Sequence, residues 1–160
     1  GKADIVIPVA FYFTSVEQFQ AWINDQTGNT AATPYTAKFH LDLAKYENIL
    51  NEIGDKYVAL DFSGATRTTF SPSYSATNRD KIVSVILPNS VTSIGNSAFS
   101  NCTSLATVTV RRTDILLTTL DSLAFSGCPL TAIYVPAGSV DAYKAASGWS
   151  AYAGIIEAMP

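Results

Sequence analysis

The amino-acid sequence predicts an α/β fold, a short solenoid of about four strand turns stacked between two caps. Three observations predict it. A strand-like pattern recurs at nearly constant spacing from residue 57 onwards, and a second motif recurs in the same phase. The N-terminal third does not repeat and instead carries the signals of a helix, a strand and a second helix. We therefore expect an N-terminal α+β capping region over 1–56, and a solenoid with its own C-terminal cap over 57–160.

The N-terminal cap begins with an apolar segment, residues 4–13, which is predicted to be extended. Thr14 and Glu17 then have the spacing of a capping box, in which two amides at a helix start are satisfied. Gly28-Asn29 ends this helix. Its predicted inward face is Val16, Phe19, Trp22 and Ile23.

A strand and a second helix complete this cap. Apolar and polar residues alternate from Tyr35 to Leu41, as in a half-buried strand. The second helix is predicted over 44–53, with Gly54 just past its end and with Tyr46, Ile49, Leu50 and Ile53 facing inward. The segment 14–54 should cap the first solenoid turn. The alternative is that residues 1–54 are a small separate module whose interface with the solenoid can move.

The repeating part of the chain follows the pattern apolar-x-x-apolar-x-apolar. Its first positions are separated by 25, 23 and 25 residues and are Tyr57, Ile82, Leu105 and Leu130. A fixed period of about 20 to 29 residues with this pattern is typical of leucine-rich solenoids, which place one short strand in each turn. Residues 98–102 (AFSNC) recur as residues 124–128 (AFSGC) in the same phase.

The residues after the last repeat predict a closing cap. Ser139 is a candidate N-cap for a helix from Val140 to about Ala146. This helix should close the far end of the solenoid together with Trp149, Tyr152 and Ile155.

Residues 82–102 (IVSVILPNSVTSIGNSAFSNC) resemble one unit of the BspA-like, Treponema-type leucine-rich repeat. The units around Leu105 and Leu130 match too, and the stretch 135–149 is similar to the usual C-terminal end of such arrays. The resemblance spans residues 57–153, roughly two-thirds of the chain.

Two segments depart from the pattern of that family. Residues 60–79 lack the Ala-Phe-x-x-Cys element and carry Ser-Pro-Ser-Tyr-Ser at 71–75, and residues 111–114 are a short insertion. The resemblance implies a protein exported to a bacterial cell surface or secreted, since members of the family are often exported and several act in adhesion. The chain begins with Gly1, so we expect a processed part of a longer precursor, with its leader removed and with a possible lipid anchor upstream.

Composition and charge exclude several classes of function. Charged residues make up 14% of the chain against about 25% in typical proteins. The net charge is −3, whereas a nucleic-acid surface needs clustered Lys and Arg. No apolar run reaches the 18 residues of a membrane-spanning helix. Glycine-rich phosphate loops and metal-ligand spacings are also absent, so no cofactor and no metal are predicted.

Several residues could suggest catalysis, but the sequence favours a structural interpretation for each of them. Cys102 and Cys128 occupy one repeat position and should be buried free thiols. The alternative is a disulfide, because adjacent turns place Cα atoms about 5 Å apart. His40 should be a surface or cap-interface residue on the polar side of its strand. Asp114 and Asp121 flank the insertion and leave a hydrolase-like enzyme as a remote alternative.

The outward strand positions form the predicted binding surface. Because side chains alternate along a strand, outward residues should stack in two rows: Ala59, Ser84, Thr107 and Ala132 in one, and Asp61, Ile86, Thr109 and Tyr134 in the other. The candidate binding residues among them, called the strand face below, are Asp61, Ser84, Ile86, Thr107, Thr109 and Tyr134. A second candidate is the binding loop with Arg111, Arg112 and Asp114.

The sequence thus predicts a non-catalytic module of an exported bacterial protein that binds a protein or a glycan in adhesion or recognition. Ile86 and Tyr134 would be the apolar anchors of its surface, since tyrosine is enriched at interfaces. The alternative is a structural spacer, or an anchor-proximal domain of a surface lipoprotein, without a ligand of its own.

Overall fold

Short strands recur along the whole chain in the computed structural model, which describes residues 11–72, 76–113 and 118–160. Within these ranges the helices are α1 (Val16–Asn24), α2 (Tyr46–Glu52) and α3 (Val140–Ala145). The strands are β1 (Tyr35–Lys38), β2 (Val58–Asp61), β3 (Thr69–Phe70), β4 (Ile82–Leu87), β5 (Ser93–Ile94), β6 (Thr107–Val110), β7 (Thr119–Leu120), β8 (Ala132–Val135) and β9 (Ile156–Ala158).

Two parallel sheets run along the stack of turns. The larger sheet has the strand order β1-β2-β4-β6-β8-β9, and the smaller one has the order β3-β5-β7. Every strand therefore lies beside the strand of the next turn, as it must when one turn stacks on another. This arrangement confirms the predicted α/β solenoid.

The larger sheet is longer than predicted by one strand at each end. β1 was predicted as a strand of the cap, and it pairs in parallel with β2 in the register Tyr35 to Val58. β9 pairs with β8 at the other end, where only a helical cap was predicted. A strand of three residues is too short to show a periodic pattern, so β9 could not be predicted from the sequence.

The N-terminal helices have the predicted faces but different boundaries. Ser15, rather than Thr14, is the N-cap of α1, and its hydroxyl accepts the Gln18 N–H at 3.1 Å. The Gln18 side chain in turn accepts the Thr14 N–H at 2.9 Å, so the reciprocal bonds use Gln18 in place of Glu17. The second predicted helix starts as a 3-10 turn, Leu43–Lys45, and becomes α-helical at Tyr46. The buried residues include the predicted ones Phe19, Ile23, Tyr46, Ile49, Leu50 and Ile53.

The core is a column of aromatic rings that crosses successive turns. Phe39 stacks on Phe62 at 5.0 Å between ring centroids, which joins the cap to the first turn. Phe99 stacks on Phe70 at 4.9 Å and on Phe125 at 5.5 Å. Because the two rings of each stacked pair lie in neighbouring layers of the stack, these pairs hold the turns in register.

The C-terminal cap closes the far end with a helix, a 3-10 segment and β9. α3 follows a 3-10 turn, and Ser139 makes no side-chain capping bond, contrary to its predicted role. Trp149 is fully buried, as predicted for the closing cap. Its indole N–H donates to the Thr118 carbonyl at 2.6 Å, and the Tyr143 hydroxyl donates to the Arg112 carbonyl at 3.0 Å. The cap is thus hydrogen-bonded to the preceding turns as well as packed on them.

Gly148 is required where this cap approaches β7. Its φ is +83°, and a Cβ atom there would collide with the Leu120 carbonyl oxygen. We predict that Gly148→Ala lowers the free energy of unfolding by about 2 kcal/mol or more, since the side chain is disfavoured by both backbone conformation and space. Urea unfolding measures this change. Gly138→Ala is the matched control, because nothing lies within 4 Å of its Cβ position; equal effects of the two changes would contradict the prediction.

Candidate functional site

The strand face lies on the larger sheet, and the strand register brings its residues side by side. Thr107 lies between Ser84 and Ala132, and Thr109 lies between Ile86 and Tyr134. Asp61 is the neighbour of Ile86 at the N-terminal side. Neighbouring strands are about 4.8 Å apart, so the two large side chains, Ile86 and Tyr134, stand about 10 Å apart with a threonine between them.

The side chains of the strand face are accessible in part. All six residues are half-buried, whereas their neighbours along each strand, such as Val85 and Val108, are buried in the core. Ala132 was predicted to face outward, but it is only 5% exposed. Its side chain is a single methyl group, and the 3-10 segment Ser150–Ile155 contacts β8 at this end of the sheet. Ala132 therefore adds almost no accessible surface.

Two charged residues that the sequence analysis missed extend the outer row. The register places Lys38 beside Asp61 and Glu157 beside Tyr134. The row thus has charged residues at both ends and uncharged ones in the middle. The alternation from Tyr35 to Leu41 marked Lys38 as outward, but no sequence signal tells which strand will be its neighbour.

A lysine and a tyrosine contact each other just before β4 and β2 begin. The Lys81 Nζ lies 4.5 Å from the centroid of the Tyr57 ring and donates to the Tyr57 hydroxyl at 3.5 Å. This hydrogen bond raises the pKa of Lys81 above its ordinary value, because it stabilises the ammonium form. At the other end of β2, the Asp61 carboxylate accepts the Ser63 N–H at 2.8 Å, which fixes the start of that turn.

The candidate binding loop follows β6 directly. Arg111 is exposed. Arg112 is half-buried, and its guanidinium donates to the Asn89 carbonyl at 3.1 Å, so this residue holds the loop against the preceding turn. Asp114 lies outside the described residues, as does its predicted pairing with Asp121. The Asp121 carboxylate accepts the Leu123 N–H at 3.0 Å, a local turn contact.

Cys102, Cys128 and His40, the residues considered as nucleophiles and as a base, lie in surroundings that explain them as structural residues. Cys102 is buried and Cys128 is half-buried, and both are free thiols. The His40 ring is exposed, stacks on Tyr12 at 3.7 Å between ring centroids, and lies close to Gly64. A Cβ atom at Gly64 would collide with the ring, so the glycine makes room for His40. Within the described residues no group of three or more His, Cys, Asp or Glu side chains could hold a metal ion.

A small cleft lies between the N-terminal cap and the smaller sheet. Its volume is about 190 Å³, and it is lined by Leu43, Ala44, Tyr46, Glu47, Arg67, Thr69, Phe70, Ser71 and Pro72. Small-molecule sites usually measure about 300–1,000 Å³. The cleft is thus too small for a typical cofactor or substrate, and the strand face is the stronger candidate site.

Comparison with known proteins assigns the repeats. A family model described as the BspA type leucine rich repeat region matches residues 70–147 in six copies. No curated protein matches the chain. Within the residues that the structure describes, no helix has the length and apolar character needed to cross a membrane.

Proposed function

Residues 70–147 are a BspA-type leucine-rich repeat region, and from this premise we propose that the chain is a non-catalytic protein-binding module whose ligand contacts the strand face. Leucine-rich repeats typically mediate protein binding, and this family is generally non-enzymatic. The observation that carries the proposal is the outer row of β4, β6 and β8. There Ile86 and Tyr134 flank a threonine on an otherwise hydroxyl-rich surface.

The arrangement of these side chains suits a protein partner. Interfaces have an apolar centre, often with tyrosine, surrounded by a polar rim that excludes water. Ile86 and Tyr134 supply such a centre. Lys38, Asp61 and Glu157 supply charges at the two ends of the row. A glycan is the second candidate, because Asp61 lies beside Ile86 and Glu157 lies beside Tyr134, where their carboxylates could accept hydrogen bonds from sugar hydroxyls.

The size of the surface indicates that the partner also contacts a loop. Five strand spacings of about 4.8 Å and a width of two outward residues give an area on the order of 300 Å². A stable interface buries about 800 Å² on each partner. The loop after β6, with the exposed Arg111, lies next to Thr109 along the chain and would extend the contact.

We also propose that the protein is exported and acts at the bacterial cell surface, in adhesion or recognition. BspA-type proteins are commonly surface-located or secreted, and the low charged fraction of 14% is common in proteins of that environment. Fractionation of the native organism, with detection by an antibody against this chain, tests the location. Recovery in the cytoplasmic fraction alone would contradict it, and an acylated cysteine upstream of Gly1 would identify a lipid anchor.

Capture of ligands tests the binding function. The purified chain is immobilised and exposed to an array of extracellular matrix and cell-surface proteins and to a glycan array. The expected result is saturable binding to a protein that the variant Ile86→Asp/Tyr134→Asp does not bind. Saturable binding to glycans alone would overturn the protein assignment, and the absence of binding on both arrays would favour a structural spacer.

A further inference from the structure

Cys102 and Cys128 lie at equivalent positions of two adjacent turns with nearly identical backbones. The amide of each cysteine donates to the carbonyl three residues earlier, at 3.0 Å for Cys102 and 3.1 Å for Cys128. The preceding residues, Asn101 and Gly127, both have left-handed backbones with φ of 59° and 80°. The two cysteines therefore project from matching turns.

Hydrogen bonds between the two turns fix their spacing. The Phe99 N–H donates to the Ala124 carbonyl, and the Asn101 N–H donates to the Ser126 carbonyl, both at 2.8 Å. Backbones bonded in this way are about 4.8 Å apart. A disulfide needs Cα atoms about 4.4–6.8 Å apart, so the spacing of the turns already meets that requirement.

The two cysteines meet at one backbone carbonyl in a partly enclosed cluster. The Phe99 carbonyl accepts the Cys102 N–H at 3.0 Å and the protonated Cys128 thiol at 2.9 Å. Cys102 is fully buried, but Cys128 is half-buried and can be reached from solvent. A small reagent thus has access to one sulfur of the pair.

A buried cation lies near both thiols. Arg79 is 7% exposed, and its guanidinium is held by the Ser100 carbonyl at 2.9 Å and the Ser97 carbonyl at 2.7 Å. Its charge favours a thiolate on either cysteine. The buried Tyr46 hydroxyl lies within electrostatic range of both sulfurs and has no hydrogen-bond partner among the described residues.

These surroundings give the two thiols different acidities. The pKa of Cys128 lies below its ordinary value, because the neighbouring Cys102 thiol stabilises its thiolate and Arg79 adds positive charge. These effects outweigh partial burial, which favours the protonated form. The pKa of Cys102 is raised far above its ordinary value, by the adjacent Cys128 sulfur and by burial. Cys128, which is also the more exposed of the two, is therefore the attacking group, and Cys102 is the second, resolving group.

We propose that Cys102 and Cys128 form a redox modification site, a dithiol that small-molecule disulfides oxidise to an intramolecular disulfide. The Cys128 thiolate attacks one sulfur of the reagent, and the reagent's other half leaves as a thiolate. Cys102 then loses its proton to that leaving thiolate and attacks the Cys128 sulfur. The second half leaves as a thiolate and takes up the proton that Cys128 had released to solvent. The two cysteines lose two electrons and two protons, and the reagent becomes two thiols.

The new bond would link the second and third repeat turns covalently. It closes a loop of residues 102–128, and such a loop restricts the unfolded chain. We expect the melting temperature of the oxidised protein to be about 5–10 °C higher than that of the reduced protein. The site would thus strengthen the solenoid in an oxidising environment.

Oxidised glutathione applied to the native chain at neutral pH tests this site by mass spectrometry. The expected product is a monomer lighter by two hydrogen atoms, in which peptide mapping finds Cys102 joined to Cys128. In Cys102→Ala the reaction should stop at a glutathione adduct on Cys128, and Cys128→Ala should react far more slowly. The melting temperatures of the reduced and oxidised wild-type protein are compared in the same samples.

Three results would overturn the proposal. In the first, the wild-type protein keeps both thiols. In the second, its reaction stops at the glutathione adduct. In the third, the Cys102–Cys128 bridge forms only after the protein is denatured in urea. Because the main reaction uses the unchanged chain, a folding defect in either variant does not affect the conclusion. The outcome is also independent of any ligand of the strand face.

Discussion

Replacement of Phe99 by alanine is expected to lower the free energy of unfolding by about 3–5 kcal/mol. Phe99 is fully buried and its ring stacks between Phe70 and Phe125, which lie in the turns before and after it. Tyr46 of α2 also meets it edge-on at 6.3 Å. The truncation would therefore leave a cavity at the junction of three turns and the N-terminal cap.

This loss is large compared with the whole stability of a domain, which is about 5–15 kcal/mol. Each kcal/mol corresponds to roughly 2–4 °C in a chain of this length, so the melting temperature should fall by about 10 °C. Calorimetry and urea unfolding measure both quantities. Phe99→Leu keeps most of the volume and should cost much less, about 1.5 kcal/mol or below.

Phe11→Ala is the control for this substitution. Phe11 is 36% exposed, and it meets Phe13 edge-on at 5.2 Å. We expect its loss to cost about 1 kcal/mol or less, because surface truncations leave no cavity. Equal destabilisation by Phe99→Ala and Phe11→Ala would contradict the aromatic column as the element that holds the turns together.

The second large effect is expected on ligand binding. The double variant Ile86→Asp/Tyr134→Asp should weaken binding of a captured protein ligand by about 100-fold or more, since anchor residues at an interface contribute about 2 kcal/mol or more each. Both side chains are half-buried on the strand face, and the core beneath them consists of other residues, such as Val85 and Val108. The melting temperature should therefore change by only a few degrees, about 5 °C or less.

Two further variants separate binding from strand stability. Ile86→Thr/Tyr134→Thr removes the same anchors but introduces threonine, a residue that favours strands and already occupies the neighbouring position Thr109. This variant should therefore also lose binding while its strands stay intact. Leu123→Asp changes an exposed residue after β7, outside the larger sheet, and should bind like wild type. Titration calorimetry gives the affinities. Full binding by both double variants would refute the assignment of the strand face.

The repeated pattern made the central strands of this fold predictable, whereas the elements at its two ends were predicted less well. β4, β6 and β8 follow from the apolar period, because each turn buries the same positions against its neighbours. β9 has three residues and no repeat partner in the sequence. The start of α1 was misplaced by one residue, because Thr14 and Ser15 are both good capping residues and only the Gln18 contacts distinguish them.

The candidate site was predictable to a similar degree. Period-two alternation is enough to mark Ile86 and Tyr134 as outward residues, and equal spacing of the repeats aligns them. The position of Lys38 beside Asp61 depends on a pairing between cap and solenoid, for which no local pattern exists. The approach of Arg79 to the two cysteines is likewise a tertiary contact, between a 3-10 turn and two later turns.

Hydroxyl-radical footprinting of the chain with and without its captured protein ligand tests the strand face most directly. The method reports the solvent exposure of individual side chains in the unchanged protein. We predict that the ligand lowers the oxidation of Tyr134 and Ile86, while Leu123 and Phe11 react as before. Protection of Leu123 or Phe11, with Tyr134 and Ile86 unchanged, would contradict the strand face as the binding surface.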